Sequence, residues 1–92
     1  LLLFVDPKVS IDLKGFEPIY VLGEVEQPGE FEYKDGLTAL QAVALAGGHT
    51  HRAYKHDVEL IRGYEAGAKP KDVSPQIVLF PGDIVIVKER YF

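Results

Sequence analysis

The sequence predicts an α+β domain: a small mixed sheet with one helix packed on one face. Three observations carry that prediction. Short segments of period-two alternation, or of continuous apolar character, recur along the chain; a single stretch has helical periodicity; and Pro and Gly fall between these segments. With 92 residues, 47% of them hydrophobic and 26% charged, the chain suits one domain, residues 1–92, whose core rests on a single sheet.

The elements follow in order. "KVSIDL", 8–13, alternates Val9, Ile11 and Leu13 with polar residues, the pattern of a half-buried strand. "IYVLGEV", 19–25, is apolar on both faces and reads as a central strand. Gly23 within it marks a bulge or the close approach of another backbone. "QPGE", 27–30, has the residues of a type II turn, with Pro28 and Gly29 at its two central positions. "FEY", 31–33, returns as a short strand with Phe31 and Tyr33 inward.

"TALQAVALA", 38–46, is the helix. Thr38 and Gln41 have capping-box spacing, and Leu37, Leu40, Val43 and Ala44 form an apolar stripe. Gly47 and Gly48 end it. "VELIR", 58–62, is a further strand, "DVS", 72–74, a short return, and "LFPGD", 79–83, a turn on Pro81, Gly82 and Asp83. "IVIV", 84–87, is apolar on both faces and therefore central. The outline is ββαββ, the order of a β-grasp, and one helix leaves the second face of the sheet to solvent or to a partner.

Composition excludes several functions. The net charge of −4 and the absence of a basic face argue against nucleic acid as a partner. No apolar run is long enough to span a bilayer, and without cysteine there is neither a disulfide nor a thiol nucleophile. Apolar residues at both ends, "LLLF" and "ERYF", read as the cut ends of a longer protein.

The candidate chemistry is sparse. "AGGHTHRAYKHD", 46–57, holds all three histidines, but His49, His51 and His56 match no metal-ligand spacing, so no metal, cofactor or catalytic residue is assigned. Ser10 and Ser74 lack a nucleophile elbow. Glu24, Glu26, Glu30 and Glu32 alternate along the hairpin like a solvated strand face. Arg52, Arg62, Lys69, Lys71, Lys88 and Arg90 are cations able to meet an anionic chain or a neighbouring subunit. Tyr20, Tyr54, Tyr64 and Tyr91 are aromatic surfaces able to pack on sugar rings. Arg52, Tyr54, Arg62 and Tyr64 are the residues singled out for ligand or subunit contact.

Residues 21–53, "VLGEVEQPGEFEYKDGLTALQAVALAGGHTHRA", resemble the SLBB (soluble ligand-binding β-grasp) domain of bacterial outer-membrane polysaccharide export proteins. "VELIR" and "LFPGDIVIVKERYF" continue the likeness, and "VDPKVSIDL" resembles the segment that precedes such a domain. The resemblance implies a non-catalytic module in the periplasmic portion of an outer-membrane protein, one part of a homo-oligomeric channel exporting capsular polysaccharide or exopolysaccharide. It implies as partners the other channel subunits, an inner-membrane copolymerase and the polysaccharide itself. The alternative is a β-grasp that binds a saccharide or another small ligand. The motifs that carry the likeness, Gly23, Pro28, Gly29, Gly47, Gly48, Pro81, Gly82 and Asp83, are turn and cap residues, and they specify the fold more than a ligand.

Overall fold

The computed structural model describes residues 17–90. The strand expected at 8–13, together with Ser10 and Tyr91, lies outside the described residues. Five strands form one mixed sheet: β1 (Ile19–Gly23), β2 (Gly29–Phe31), β3 (Val58–Ile61), β4 (Lys71–Val73) and β5 (Ile84–Val87), in the spatial order β2-β1-β5-β3-β4. One helix, α1 (Ala39–Leu45), lies between β2 and β3 in the chain. The α+β, β-grasp-like class read from the sequence is the one observed, with β4 adding a third strand after the helix. β5 is the middle strand, as its two apolar faces predict. It runs parallel to β1 and antiparallel to β3, while β2 and β4 are antiparallel edge strands of three residues each.

Strand alternation sorts the side chains onto two faces. Ile19, Val21, Val58, Leu60, Val85 and Val87 face the helix and are buried in one cluster with Ala39, Ala42, Val43, Ala46 and Leu79. The other face carries Tyr20, Leu22, Ile61, Ile84 and Ile86. Tyr20 and Leu22 remain 36% and 42% exposed, so this side of the sheet has no covering layer among the described residues.

Leu37 and Val43 of the expected stripe are buried, but the helix is turned so that its other two members are not. Leu40 and Ala44 are exposed, and Ala39, Ala42, Val43 and Ala46 are the buried set. Both sets have helical spacing, but the alanine-rich one lets the helix backbone settle close to the sheet, where leucines would hold it away. A helix of seven residues is too short to stand alone, and both of its ends are tied down. The Gln41 amide donates to Thr38 Oγ1 at 3.2 Å, and the Thr38 amide donates to Gln41 Oε1 at 3.0 Å, completing the capping box. The Ala39 and Leu40 amides donate to the carbonyls of Ile77 and Pro75. At the other end, the Gly47 amide donates to Ala44 and the Gly48 amide to Val43, both at 3.0 Å, which is a Schellman motif.

The hairpin also differs from expectation. Gly29 has φ 158, close to fully extended rather than the value of a type II turn, and it opens β2. β1 stops at Gly23, and residues 24–28 form the connection. That connection is held from outside the hairpin. Glu26 and Gln27 donate their amides to Gly48 and Ala46, Thr50 donates its amide to Glu24, and Val25 bridges His49. Phe31 and Tyr33 do turn inward, although Tyr33 lies beyond the end of the strand.

Gly23 is the close backbone approach that its place in an apolar strand suggests. It has φ 90, and a Cβ there would fall on the Val87 carbonyl. The Glu24 amide donates to that same carbonyl at 2.9 Å. Gly23→Ala therefore strains the backbone and pushes β1 off β5 at once. We expect a loss of about 2 kcal/mol or more, read as a lower denaturant midpoint in a urea titration followed by circular dichroism. An unchanged midpoint would contradict the assignment.

Candidate functional site

The turn into β5 organises one end of the sheet. Asp83 is fully buried. Its Oδ1 accepts the Gly63 amide at 3.0 Å, and its Oδ2 accepts the Phe80 amide at 2.8 Å and Arg62 Nη1 at 2.6 Å. Arg62 Nη1 also donates to the Val78 carbonyl at 3.3 Å. A buried carboxylate needs such partners, since burying an unpaired charge is costly. Gly63 is required for the same contact: a Cβ there would collide with the Gly82 backbone, and Gly82 itself has φ 86. The guanidinium of Arg62 rests 4.9 Å from the centre of the Phe80 ring, and Tyr64 meets that ring edge-on at 5.8 Å.

Beside this staple lies a cleft of about 250 Å³ between the 62–71 loop and β4. Leu60 pairs with Lys71 and Val58 with Val73, so Lys71 and Val73 project from the helix-bearing face of the sheet. Leu60, Val73 and Ile77 give the cleft an apolar floor, and Arg62, Tyr64, Lys69 and Lys71 form its rim with Glu65. Among the described residues, Lys69 and Lys71 take part in no ion pair. Tyr64 is 65% exposed and Phe80 44%. A second hollow of about 390 Å³, on the flank of α1 around Leu37, Ala44 and Leu45, contains only the opposed charges of Lys34 and Asp35.

The four residues singled out from the sequence fall into two pairs at opposite ends of β3. Arg62 and Tyr64 follow the strand and line the cleft. Arg52 and Tyr54 precede it. Arg52 is ion-paired with Glu89, which raises its pKa through the hydrogen bond and then the charge of that carboxylate. Tyr54 donates its amide to the Lys88 carbonyl at 2.8 Å, and its ring lies 5.3 Å from Lys88 Nζ. Lys88 Nζ in turn sits 2.9 Å from Asp72 Oδ1 and 3.0 Å from Asp57 Oδ1. The Asp72 contact is a hydrogen bond, whereas Asp57 Oδ1 is an ion-pair partner without hydrogen-bond alignment. Asp72 first, then Asp57, push the Lys88 pKa above the ordinary lysine range. This node ties β4, β5 and the histidine loop together. Its residues are distant in sequence, and no local pattern signals it.

The histidines do not converge. His51 and His56 are exposed, His56 meets the Tyr54 ring edge-on at 5.3 Å, and His49 is half-buried opposite Val25. Among the described residues no three His, Cys, Asp or Glu side chains are placed to hold a metal ion. Of the hairpin carboxylates, Glu26, Glu30 and Glu32 are exposed, while Glu24 Oε1 accepts Thr50 Oγ1 at 2.8 Å. No helix among the described residues is long and apolar enough to cross a membrane.

Comparison with known proteins yields two findings. The family signature described as the SLBB domain matches residues 18–71, more than half of the chain. The exopolysaccharide production protein ExoF of Rhizobium meliloti (strain 1021) is 45% identical over 42 residues, which are 46% of this chain and 10% of ExoF. The chain thus spans about a tenth of the length of the curated relative that it matches.

Two measurements test the site's construction. Asp83→Ala strips Arg62 of its counter-charge and leaves the Gly63 and Phe80 amides without an acceptor. We expect it to cost about 3 kcal/mol, with a lower urea midpoint at unchanged slope; Asp83→Asn, which keeps an acceptor oxygen, costs less. The second concerns pH. Burial, and behind it the charge of Lys55, hold the His49 pKa below 6.5. The unfolded chain then binds this proton at a higher pH than the folded chain. Stability from this group is present above pH 6.5 and is lost as pH falls through the lower folded value. An NMR titration should place the His49 midpoint below 6.5, and His49→Gln should weaken the loss of stability on acidification.

Proposed function

The chain belongs to the SLBB domain family, and from that premise we propose that it is a non-catalytic module of a protein that exports exopolysaccharide. In this reading it works in the periplasmic portion of an outer-membrane channel, where it helps to assemble a ring of identical subunits and to engage an inner-membrane copolymerase. The observation that carries the reading is the 45% identity over 42 residues to an exopolysaccharide production protein, beside the SLBB match over residues 18–71.

The structure supports a scaffolding role in two ways. Its family motifs are spent on the fold: Gly23 on the contact between β1 and β5, Gly47 and Gly48 on the helix exit, and Asp83 on the staple. Its second sheet face, which no described residue covers and which carries Tyr20 and Leu22 on β1 and Ile84 and Ile86 on β5, offers an apolar surface to a neighbouring subunit.

Deleting residues 18–90 in frame from the host gene tests this. Secreted exopolysaccharide should fall at least tenfold, as measured in culture supernatant, and return on complementation with the intact gene. Unchanged secretion would overturn the reading.

A further inference from the structure

We infer that the cleft between the 62–71 loop and β4 binds a carboxylate-bearing saccharide, with Lys69 and Lys71 as its cations and Tyr64 as its stacking surface. The preference for an anion comes from the cleft itself, while the choice of a saccharide rests on the export reading above.

The charges are unbalanced in a chain that is otherwise acidic. The Arg62 charge is taken up by Asp83 at 2.6 Å. That leaves Lys69 and Lys71 on the rim, with Glu65 as the one carboxylate lining the cleft among the described residues. Two ammonium groups against one carboxylate make a local cationic patch on a protein of net charge −4, and such a patch draws anions in. The apolar floor of Leu60, Val73 and Ile77 suits the C–H face of a pyranose ring. Tyr64, 65% exposed and in edge-on contact with Phe80, offers a ring face for stacking. The volume of about 250 Å³ lies below the roughly 300–1,000 Å³ of pockets that enclose drug-sized ligands. The cleft therefore holds about one sugar residue of a longer chain. Because its cations are exposed, each contributes little, so the affinity falls in the millimolar range and the glycan can be released again.

Amide chemical shifts of the chain, followed by NMR at fixed ionic strength, provide the test. The probes are trigalacturonic acid, neutral maltotriose and inorganic phosphate. Trigalacturonic acid should give saturable shifts confined to residues 60–77, and maltotriose should give none. The double variant Lys69→Ala/Lys71→Ala should bind at least tenfold more weakly, and Tyr64→Ala several-fold more weakly. All three side chains are on the surface, so thermal melts should stay unchanged. Four results would overturn the inference: no saturation by trigalacturonic acid, equal saturation by maltotriose, undiminished binding by the double variant, or phosphate binding as tight as that of the acidic sugar. The outcome is separable from the export reading. If deletion abolishes secretion but the cleft takes no acidic sugar, only the cleft assignment falls. If secretion survives deletion while the cleft still binds, only the export reading falls.

Discussion

Asp83 has no access to solvent, and a carboxylate so placed can keep its charge only where hydrogen-bond donors converge on it. Those donors come from two parts of the chain: the end of β3, through Arg62 and Gly63, and the turn before β5, through Phe80. The Asp83 carbonyl accepts the Tyr20 amide, and the Gly82 amide donates to Pro18, so β1 is drawn to the same point. The buried Asp83 side chain and the backbone of its turn thus bring the three central strands to one point. Everything placed on those strands depends on it, including the aromatic pair of Tyr64 and Phe80 and the cleft beside them.

At the opposite end of the sheet, backbone groups do the corresponding work. The connection after β1 and the exit of α1 bond to one another through Glu26, Gln27 and Thr50, with Glu24 Oε1 adding a side-chain contact to Thr50. The hairpin connection and the glycine-bearing helix exit are therefore one structural unit. Left-handed backbone at Gly47 and Gly48 turns the chain out of the helix and back along the hairpin connection. His49 sits within this unit, bridged to Val25, while His51 and His56 follow it on the surface; among the described residues the three are not placed to share a metal ion.

Features encoded locally were legible in the sequence. The capping box of Thr38 and Gln41 spans three residues, the helix stop lies at adjacent glycines, and the centrality of β5 shows in four consecutive branched residues. The features that were misread or missed depend on tertiary partners. Leucine outweighs alanine on any scale of hydrophobicity, so the stripe through Leu40 looked stronger than the true one through Ala39, Ala42 and Ala46. Pro28 and Gly29 carry type II turn residues, yet the pull of the helix exit moves the turn earlier. Asp83 does close the turn, its amide donating to the Phe80 carbonyl, but its role as the buried partner of Arg62 was missed because that partner lies 21 positions away. The candidate site divided in the same manner: Arg62 and Tyr64 were visible as residue types, but their cleft is completed by Lys69 and Lys71 only once β4 pairs with β3.

The parallel pairing of β1 with β5 has a consequence for how the domain comes into being. The first described strand finds its central neighbour in the last one, and every other element is threaded between them. As the chain emerges from the ribosome, the hairpin and helix can form early, but the cluster they belong to lacks its middle strand until residues 84–87 are made. Closing so long a loop before any of its contacts forms slows folding. Until then the nascent segment exposes Ile19, Val21 and Val58 together. A domain built this way acquires its core almost at a single step, when β5 takes its place between β1 and β3.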